Sequence, residues 1–585
     1  MSKKLLPALI LLLVQTFYFQ TVEKAETPEE AKSRLQKEAI AFLRETQGDV
    51  NTMRSLENRI SFSSELAGLM WFHDEREARG MFGAVVADFR ELLIKYDAQL
   101  NALGPPEDGD SNSYRRGFLG GDLSERSRLR RKFDIAMMVR QQIAVSLAEH
   151  DGDLAYSFFI DSMAAISNPE VRKSAEESEG MFLNQLVVQI AKSNAAKAAQ
   201  LAGKSLEKGI NYQHVTMLRA IYEKDADKGA EFAATLVSRA KSEKLTSGDL
   251  WVISSLLNFG EETLEKSRTP GGKKAALSQQ DLRDLAEALA GIILSSDDTE
   301  GLSHVDKIEK YAPGRAIQIR SRLARKKTDA NSASVASNAV AYGEAYASAP
   351  PPPMSANANV SVAQAAEKKM FDDVAKLGKK ELPKEERDRI IADARKLIAT
   401  TKGREQKITA LSAIASQVAA AGDRDLADEL LREAETFVNP SPKNYQDFMM
   451  SWMLASGYAS AKSDRAFTLL EETIQRVNGT IEAFVRVGEF VDVAEEMIVD
   501  GEVQLGAFGG SMVRGLTGEL GMADNTIKLL VDHDFTKTKN LTNRFERPEV
   551  RVLAKMMVIR AVLDAKKPDV RQEDAISDVP MDVVN

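Results

Sequence analysis

Short junctions centred on a small residue recur along this chain, and they constrain its fold more than any other feature. They occur around Ala78, Ala155, Ala198, Gly229, Ala427 and Ala466. In most of them a turn-forming or N-capping residue (Asp74, Asp151, Asp225, Asp423, Ser463) lies three to five positions earlier, and bulky apolar residues follow three and four positions later. This pattern marks the place where one amphipathic helix stops and the next begins. Successive spacings of 77, 43 and 31 residues from Ala78 to Gly229, and of 39 from Ala427 to Ala466, fall within or near the period of helix-pair repeats, the first being two periods. The sequence therefore predicts an all-α chain, an α-solenoid of antiparallel helix hairpins.

At 585 residues the chain is too long for one compact core, so two or more domains or an elongated array are expected. Proline locates the breaks, since a helix interior rejects it at about 3 kcal/mol. None occurs between Pro106 and Pro169, Pro169 and Pro270, Pro383 and Pro440, or Pro442 and Pro548. By contrast, Lys327 to Val360 holds an Ala/Ser/Asn run followed by Pro350 to Pro353, with too few large apolar groups to offset the entropy of ordering. The expected organisation is a helical block at 26–326, a flexible linker at 327–363, a second helical block at 364–567 and a polar tail at 568–585. Turn-rich stretches at Gly104–Gly121 and Thr269–Lys274 separate hairpins inside the first block. Strand signals are sparse, with β-branched residues in Phe490–Val503 alternating poorly.

The N-terminus has the pattern of an export signal. Lys3 and Lys4 precede the apolar run Leu5 to Val14, which is short for a membrane span, and Ala25 is a small residue before a cut after position 25. Glu23 stands where another small residue is wanted, which leaves retention as a membrane anchor as the alternative. The chain has no cysteine, which rules out disulfides, thiolate metal sites and a cysteine nucleophile, and suits an exported protein. A net charge of -9 argues against general nucleic-acid binding, which needs a basic surface.

The best-preserved unit lies at about 407–440. Ile408, Leu411, Ile414, Ala415 and Val418 form one helical stripe, and Leu426, Ala427, Leu430, Leu431, Ala434 and Phe437 another, with Gly422 and Asp423 supplying a stop and an N-cap between them. This unit resembles a tetratricopeptide repeat. Ala415, Ala427 and Ala434 fall at that family's small positions, Leu411, Ile414, Val418 and Leu431 at its bulky ones, and Pro440 one residue beyond its closing proline. The other junctions depart from the pattern: Ala67, Ala144 and Ala455 each precede their junction residue by eleven positions, where Ala415 precedes Ala427 by twelve. The resemblance implies a right-handed superhelix of helix pairs, hence a right-handed α-solenoid, that binds peptides or proteins on its concave face, and it assigns no binding role to individual residues.

Chemistry-bearing patterns are thin. The histidines (His73, His150, His214, His304, His533) never take the spacing that puts two metal ligands on one helix face. His73-Asp74, His150-Asp151 and His533-Asp534 fall at helix junctions, where the Asp caps the next helix and the His meets the negative end of the preceding dipole. Asp108, Asp110 and Asn112 begin like a calcium loop, but Ser113 and Leu119 stand where Gly and a bidentate carboxylate belong. Ser205-Leu206-Glu207-Lys208 matches a Ser-x-x-Lys string without its companion motifs, and Gly203-Lys204-Ser205 lacks the upstream glycine of a phosphate loop. The glycines at 506, 509, 510, 515, 518 and 521 read as close packing or a flexible turn. Arg126, Arg128, Arg130, Arg131 and Lys132 read as a solvated helix face, the alternative being contact with anionic lipid or an acidic partner. No catalytic, cofactor-binding or metal residue is assigned.

Two function classes follow. The first is an exported non-catalytic interaction or scaffold protein binding a protein or peptide partner through a helical-repeat surface, with membrane association only through an uncleaved N-terminal segment. The alternative is an all-α enzyme acting on polysaccharide or cell-wall glycan through paired carboxylates. Only 6% of residues are aromatic, and Trp71, Trp251 and Trp452 each lie in an apolar helical stretch, which disfavours the sugar-stacking platforms such an enzyme needs.

Overall fold

The computed structural model describes residues 27–104, 125–295, 303–322, 372–378, 382–442, 444–490, 497–509 and 521–563. The expected signal segment 1–25, the whole linker 327–363, the polar tail and the calcium-like string at 108–119 lie outside them. In chain order the helices are α1 (Pro28–Asn51), α2 (Leu56–Trp71), α3 (Glu75–Ala102), α4 (Glu125–Ala148), α5 (Gly152–Met163), α6 (Pro169–Ser193), α7 (Ala195–Ser205), α8 (Tyr212–Lys224), α9 (Ala226–Ser242) and α10 (Leu250–Ser267). They continue as α11 (Gln279–Ser295), α12 (Val305–Tyr311), α13 (Lys384–Thr400), α14 (Arg404–Ala420), α15 (Arg424–Glu435), α16 (Tyr445–Ser460), α17 (Arg465–Phe490), α18 (Gly521–His533), α19 (Phe535–Thr542) and α20 (Pro548–Leu563). The fold is all-α: among the described residues the only strands are the two-residue β1 (Ile498–Val499) and β2 (Glu502–Val503). No helix of the described residues is long and apolar enough to cross a membrane.

The small-residue junctions are helix corners with almost no linker. At each, one residue ends the first helix through its backbone N–H and begins the second through its side chain. Asp151 N–H donates to Leu147 O at 2.7 Å while its Oδ1 accepts from Asp153 and Leu154 N–H. Asp225 donates to Ile221 O at 2.8 Å and accepts from Asp227 and Lys228 N–H. Asn194, Asp74 and Asp534 repeat the arrangement. Four residues on, Ala78, Ala155, Ala198 and Gly229 bond back to the corner residue's carbonyl and are buried against the preceding helix. A small residue is needed there because the helix backbones touch: a Cβ on Gly229 would lie 2.6 Å from Tyr222 Cα. Gly422 (φ +103°) and Lys462 (φ 55°) instead end their helices in the left-handed region, and Asp423 and Ser463 reach back five residues to Val418 O and Tyr458 O.

Contacts divide the chain into two compact units, Met1–Arg79 with Ser361–Asn585, and Gly80–Val360. In the second, α4 packs on α5, α6 on α7, α8 on α9 and α10 on α11, while α4, α6, α8 and α10 pack in succession, as do α7, α9 and α11. Arg140 ties three of these helices together. It is 2% exposed, lies over the Phe159 ring, and donates to Phe159 O, Ser162 Oγ and Glu179 Oε1, which answers a buried charge with hydrogen bonds and a counter-charge.

In the other unit α14 packs on α15 and α16, α16 on α17 and α18, and α18 on α20. The stripes expected at 407–440 form its core: Ile408, Leu411, Ile414, Ala415, Val418, Ala427, Leu430, Leu431 and Ala434 are buried, with Leu426 and Phe437 partly so. The next partner of α20 is not local. Its buried face (Val552, Met556, Ile559) is covered by α1 and α2, which arrive from the other end of the chain. Phe42 meets Phe535 edge-on, and Lys555, 3% exposed, donates to Glu45 and Asp49 at 3.0 and 2.8 Å. The contacts thus group residues 28–79 with the C-terminal helices, a division different from the contiguous blocks 26–326 and 364–567. The physical reason is that the last helix of a stack leaves one apolar face open, and here the N-terminal hairpin covers it.

Candidate functional site

Within the Gly80–Val360 unit, α8 packs on α10, and α10 is hydrogen-bonded to α12 and its N-cap His304. Each buries one stripe and turns another outward. On α10 Leu250, Ile253, Leu256 and Leu257 are buried, whereas Trp251 is 59% exposed; on α8 the first residue, Tyr212, is 60% exposed. Arg219 of α8 pairs with Glu262 of α10 at 3.4 Å and lies over Phe259, whose ring meets Tyr222 edge-on at 5.4 Å. Three polar rungs join α10 to α12: Ser254 Oγ to His304 Nδ1 at 3.0 Å, Lys307 Nζ to Asn258 Oδ1, and Lys310 Nζ to Glu261 Oε1 at 2.9 Å. The rungs advance together along both helices, so these run in the same direction. The resulting face carries two large exposed aromatics beside charges of both signs. The sequence places Trp251 in an apolar stretch; what exposes it is the rotation of α10, legible only once the buried stripe is known.

The Ser-x-x-Lys string acquires a histidine that the sequence did not connect with it. Ser205 ends α7, and its Oγ lies 3.0 Å from Nε2 of buried His214 in α8. The geometry defeats nucleophilic chemistry. Asn211 backbone N–H donates to His214 Nδ1 at 3.0 Å, so the proton of the neutral ring sits on Nε2 and points at Ser205, whose own hydroxyl donates to Ala202 O at 2.8 Å. A general base needs its lone pair where this ring has a hydrogen. Burial holds His214 below the ordinary imidazole value, against the Asn211 bond and the nearby Glu243. Gly203 and Lys204 lie in the last turn of α7, within a helix and not in a phosphate-cradling loop.

The His-Asp pairs separate in the same way. Asp74, Asp151 and Asp534 are spent on capping, while His73 Nδ1 meets Gln36 and His533 stacks on Phe467 with Nε2 3.1 Å from Asp464.

Buried carboxylates do assemble in the other unit, unseen by sequence reasoning. Glu502 accepts from Arg54 N–H at 2.9 Å, Ser55 N–H at 3.2 Å and Asn58 Nδ2, so it neutralises the start of α2 from a strand some 450 residues away. Glu549 accepts from Val503 N–H at 3.1 Å and from Arg547, and Ser55 Oγ donates to Glu57 at 3.1 Å. Gly506 sits so close to α2 that a Cβ would meet Ser61 Cβ at 2.2 Å, which makes this glycine a packing device. All three carboxylates are under 10% exposed, so they clasp chain to chain and offer no open edge to a polysaccharide. Among the described residues no group of three or more His, Asp or Glu is placed to hold a metal ion. On the helix that carries the basic run, Leu129 and Phe133 are buried and Arg130 is exposed.

No protein-family model matches the chain, and no curated protein matches it.

Proposed function

We propose that the chain is a non-catalytic interaction protein whose hairpins stack as a right-handed α-solenoid of tetratricopeptide-like type, exported by its N-terminal segment, and that a protein or extended peptide binds along the α8–α10–α12 face. The observation that carries the reading is the serial packing of α4, α6, α8 and α10 on one another, with Tyr212 and Trp251 left exposed at the heads of α8 and α10. Large amphipathic aromatics on a rigid helix surface are the usual anchors of protein recognition. The enzyme alternative draws no support from the residues that come together: the Ser205–His214 contact has its proton on the wrong nitrogen, the Ser254–His304 contact is buried, and the buried carboxylates are enclosed.

The test is site-specific photocrosslinking in the producing cell. A photoreactive phenylalanine analogue at position 212 or 251 should trap one discrete partner, and the same group at Glu231, exposed on α9, should not. Equal trapping at all three positions refutes the face. Glycan turnover by purified protein that disappears on replacing a single Asp or Glu would make the chain an enzyme.

A further inference from the structure

The residues at 303–322 end the described part of the Gly80–Val360 unit, and one buried histidine stands where they meet α10. His304 is 6% exposed, its Nδ1 faces Ser254 Oγ, and its Nε2 is buried without a hydrogen-bond partner among the described residues. Trp251 covers the ring edge-on, with centroids 5.6 Å apart and planes at 86°. A neutral imidazole tolerates this site; an imidazolium carries two N–H donors and finds one acceptor. The surrounding charges give it no help. Among the described residues, Lys307, one turn along α12, adds a like charge, while carboxylates of the packed elements are engaged elsewhere: Glu261 of α10 by Lys310, Glu287 of α11 by Arg315, and Asp306 of α12 by Arg320. A second helix at 313–322 follows α12 and completes a hairpin, held beyond the histidine by buried Val305, Ile308, Ala312, Ala316 and Ile319 and by the ties of Lys307 to Asn258, Lys310 to Glu261 and Arg315 to Glu287, while Ile317 on it is exposed.

We propose that His304 is an acid-sensitive latch: as the neutral ring it seats residues 303–322 on α10, and its protonation opens that hairpin and uncovers the apolar face of α10 and α11 beneath it. Burial and Lys307 both hold the seated ring below the ordinary imidazole value of 6.5. In the open form water surrounds the ring and that value returns. Between the two values the open form binds more protons than the seated one, so opening grows as pH falls through the window, up to about tenfold per pH unit for one proton, and levels off below it.

Hydrogen exchange of the full-length protein tests this, with rates corrected for the intrinsic dependence of exchange on pH. From pH 7 to 4.5 the wild-type amides of 303–322 should show opening that rises about tenfold per unit over part of the range, while peptides of α4 and α5 stay flat. His304→Gln and His304→Asn should abolish the rise. A second readout needs no change at 304. With Trp71 and Trp452 replaced by Phe, the emission of Trp251 should titrate together with exchange of the hairpin, at a midpoint below 6.5. The proposal fails if hairpin protection is unchanged down to pH 4.5, if either variant keeps the wild-type profile, or if Trp251 titrates while the hairpin stays closed.

Discussion

Two glycine substitutions in neighbouring hairpins should change stability in opposite directions. Gly229 in α9 and Gly291 in α11 both lie inside helices, where replacing Gly by Ala gains about 1 kcal/mol because the backbone loses less entropy on folding. At Gly291 nothing lies within 4 Å of the added methyl, so the gain is realised. At Gly229 the methyl would sit 2.6 Å from both Cα and Cβ of Tyr222. The first of these is helix backbone, and the Tyr222 side chain is itself fixed by its hydroxyl donating to Lys274 O at 2.7 Å and by the Phe259 ring. Neither can step aside. Overpacking of this kind costs about 3 kcal/mol at the upper end of its usual range, which leaves Gly229→Ala destabilised by roughly 2 kcal/mol after the helical gain. In a unit of this size that is a midpoint about 4–8 °C lower, against a rise of about 2–4 °C for Gly291→Ala. Thermal unfolding followed by Trp251 emission, with the other two tryptophans replaced by Phe, reads this unit directly, since Trp251 is its one tryptophan. Shifts of the same sign in the two variants would refute the claim that the α8–α9 corner is set by backbone contact.

Glu502→Gln should lower the urea midpoint of the other unit, read by Trp452, by the equivalent of about 1.5–3 kcal/mol, because a buried charge accepting backbone N–H bonds at the start of α2 is lost; an unchanged midpoint would remove the clasp from the account. Ala427→Leu should cost that unit about 1–3 kcal/mol, since Ala427 is fully buried between α14 and α15, and equal midpoints for wild type and variant would break the hairpin register. For His214 the folded-state value lies below the unfolded one, so unfolded chain binds more protons as pH drops below 6.5 and stability falls with it. His214→Gln, whose amide can still face both Ser205 and Asn211, should flatten that part of the pH profile, and a profile with unaltered slope would show that another group sets it.

The helices themselves were legible because their determinants are local. The order of cap, small residue and apolar stripe at Asp151, Asp225 and Asp423 states where a helix must turn, and each turn is where it should be. The hairpin β1–β2 was missed because its β-branched residues alternate poorly; the signal that could have found it is Asp500-Gly501, a dipeptide suited to a two-residue turn with both φ positive, and they stand at 52° and 77°. Of the candidate face, sequence shows that Trp251 and Tyr212 exist and lie on helices.

What the sequence by itself determined is therefore everything fixed within one hairpin: the all-α class, the corners, and the stripes at 407–440. Tertiary structure alone decided that α1 and α2 close the open side of α20, that Glu502 caps a helix 447 residues upstream, that Ser205 meets His214 with the wrong nitrogen protonated, and that Trp251 looks outward over His304. Capping and periodicity act across three or four residues, where the backbone fixes the geometry, so they leave a readable local pattern. Burial of a stack's last face requires only some apolar surface of matching shape, and that requirement names no position in the chain.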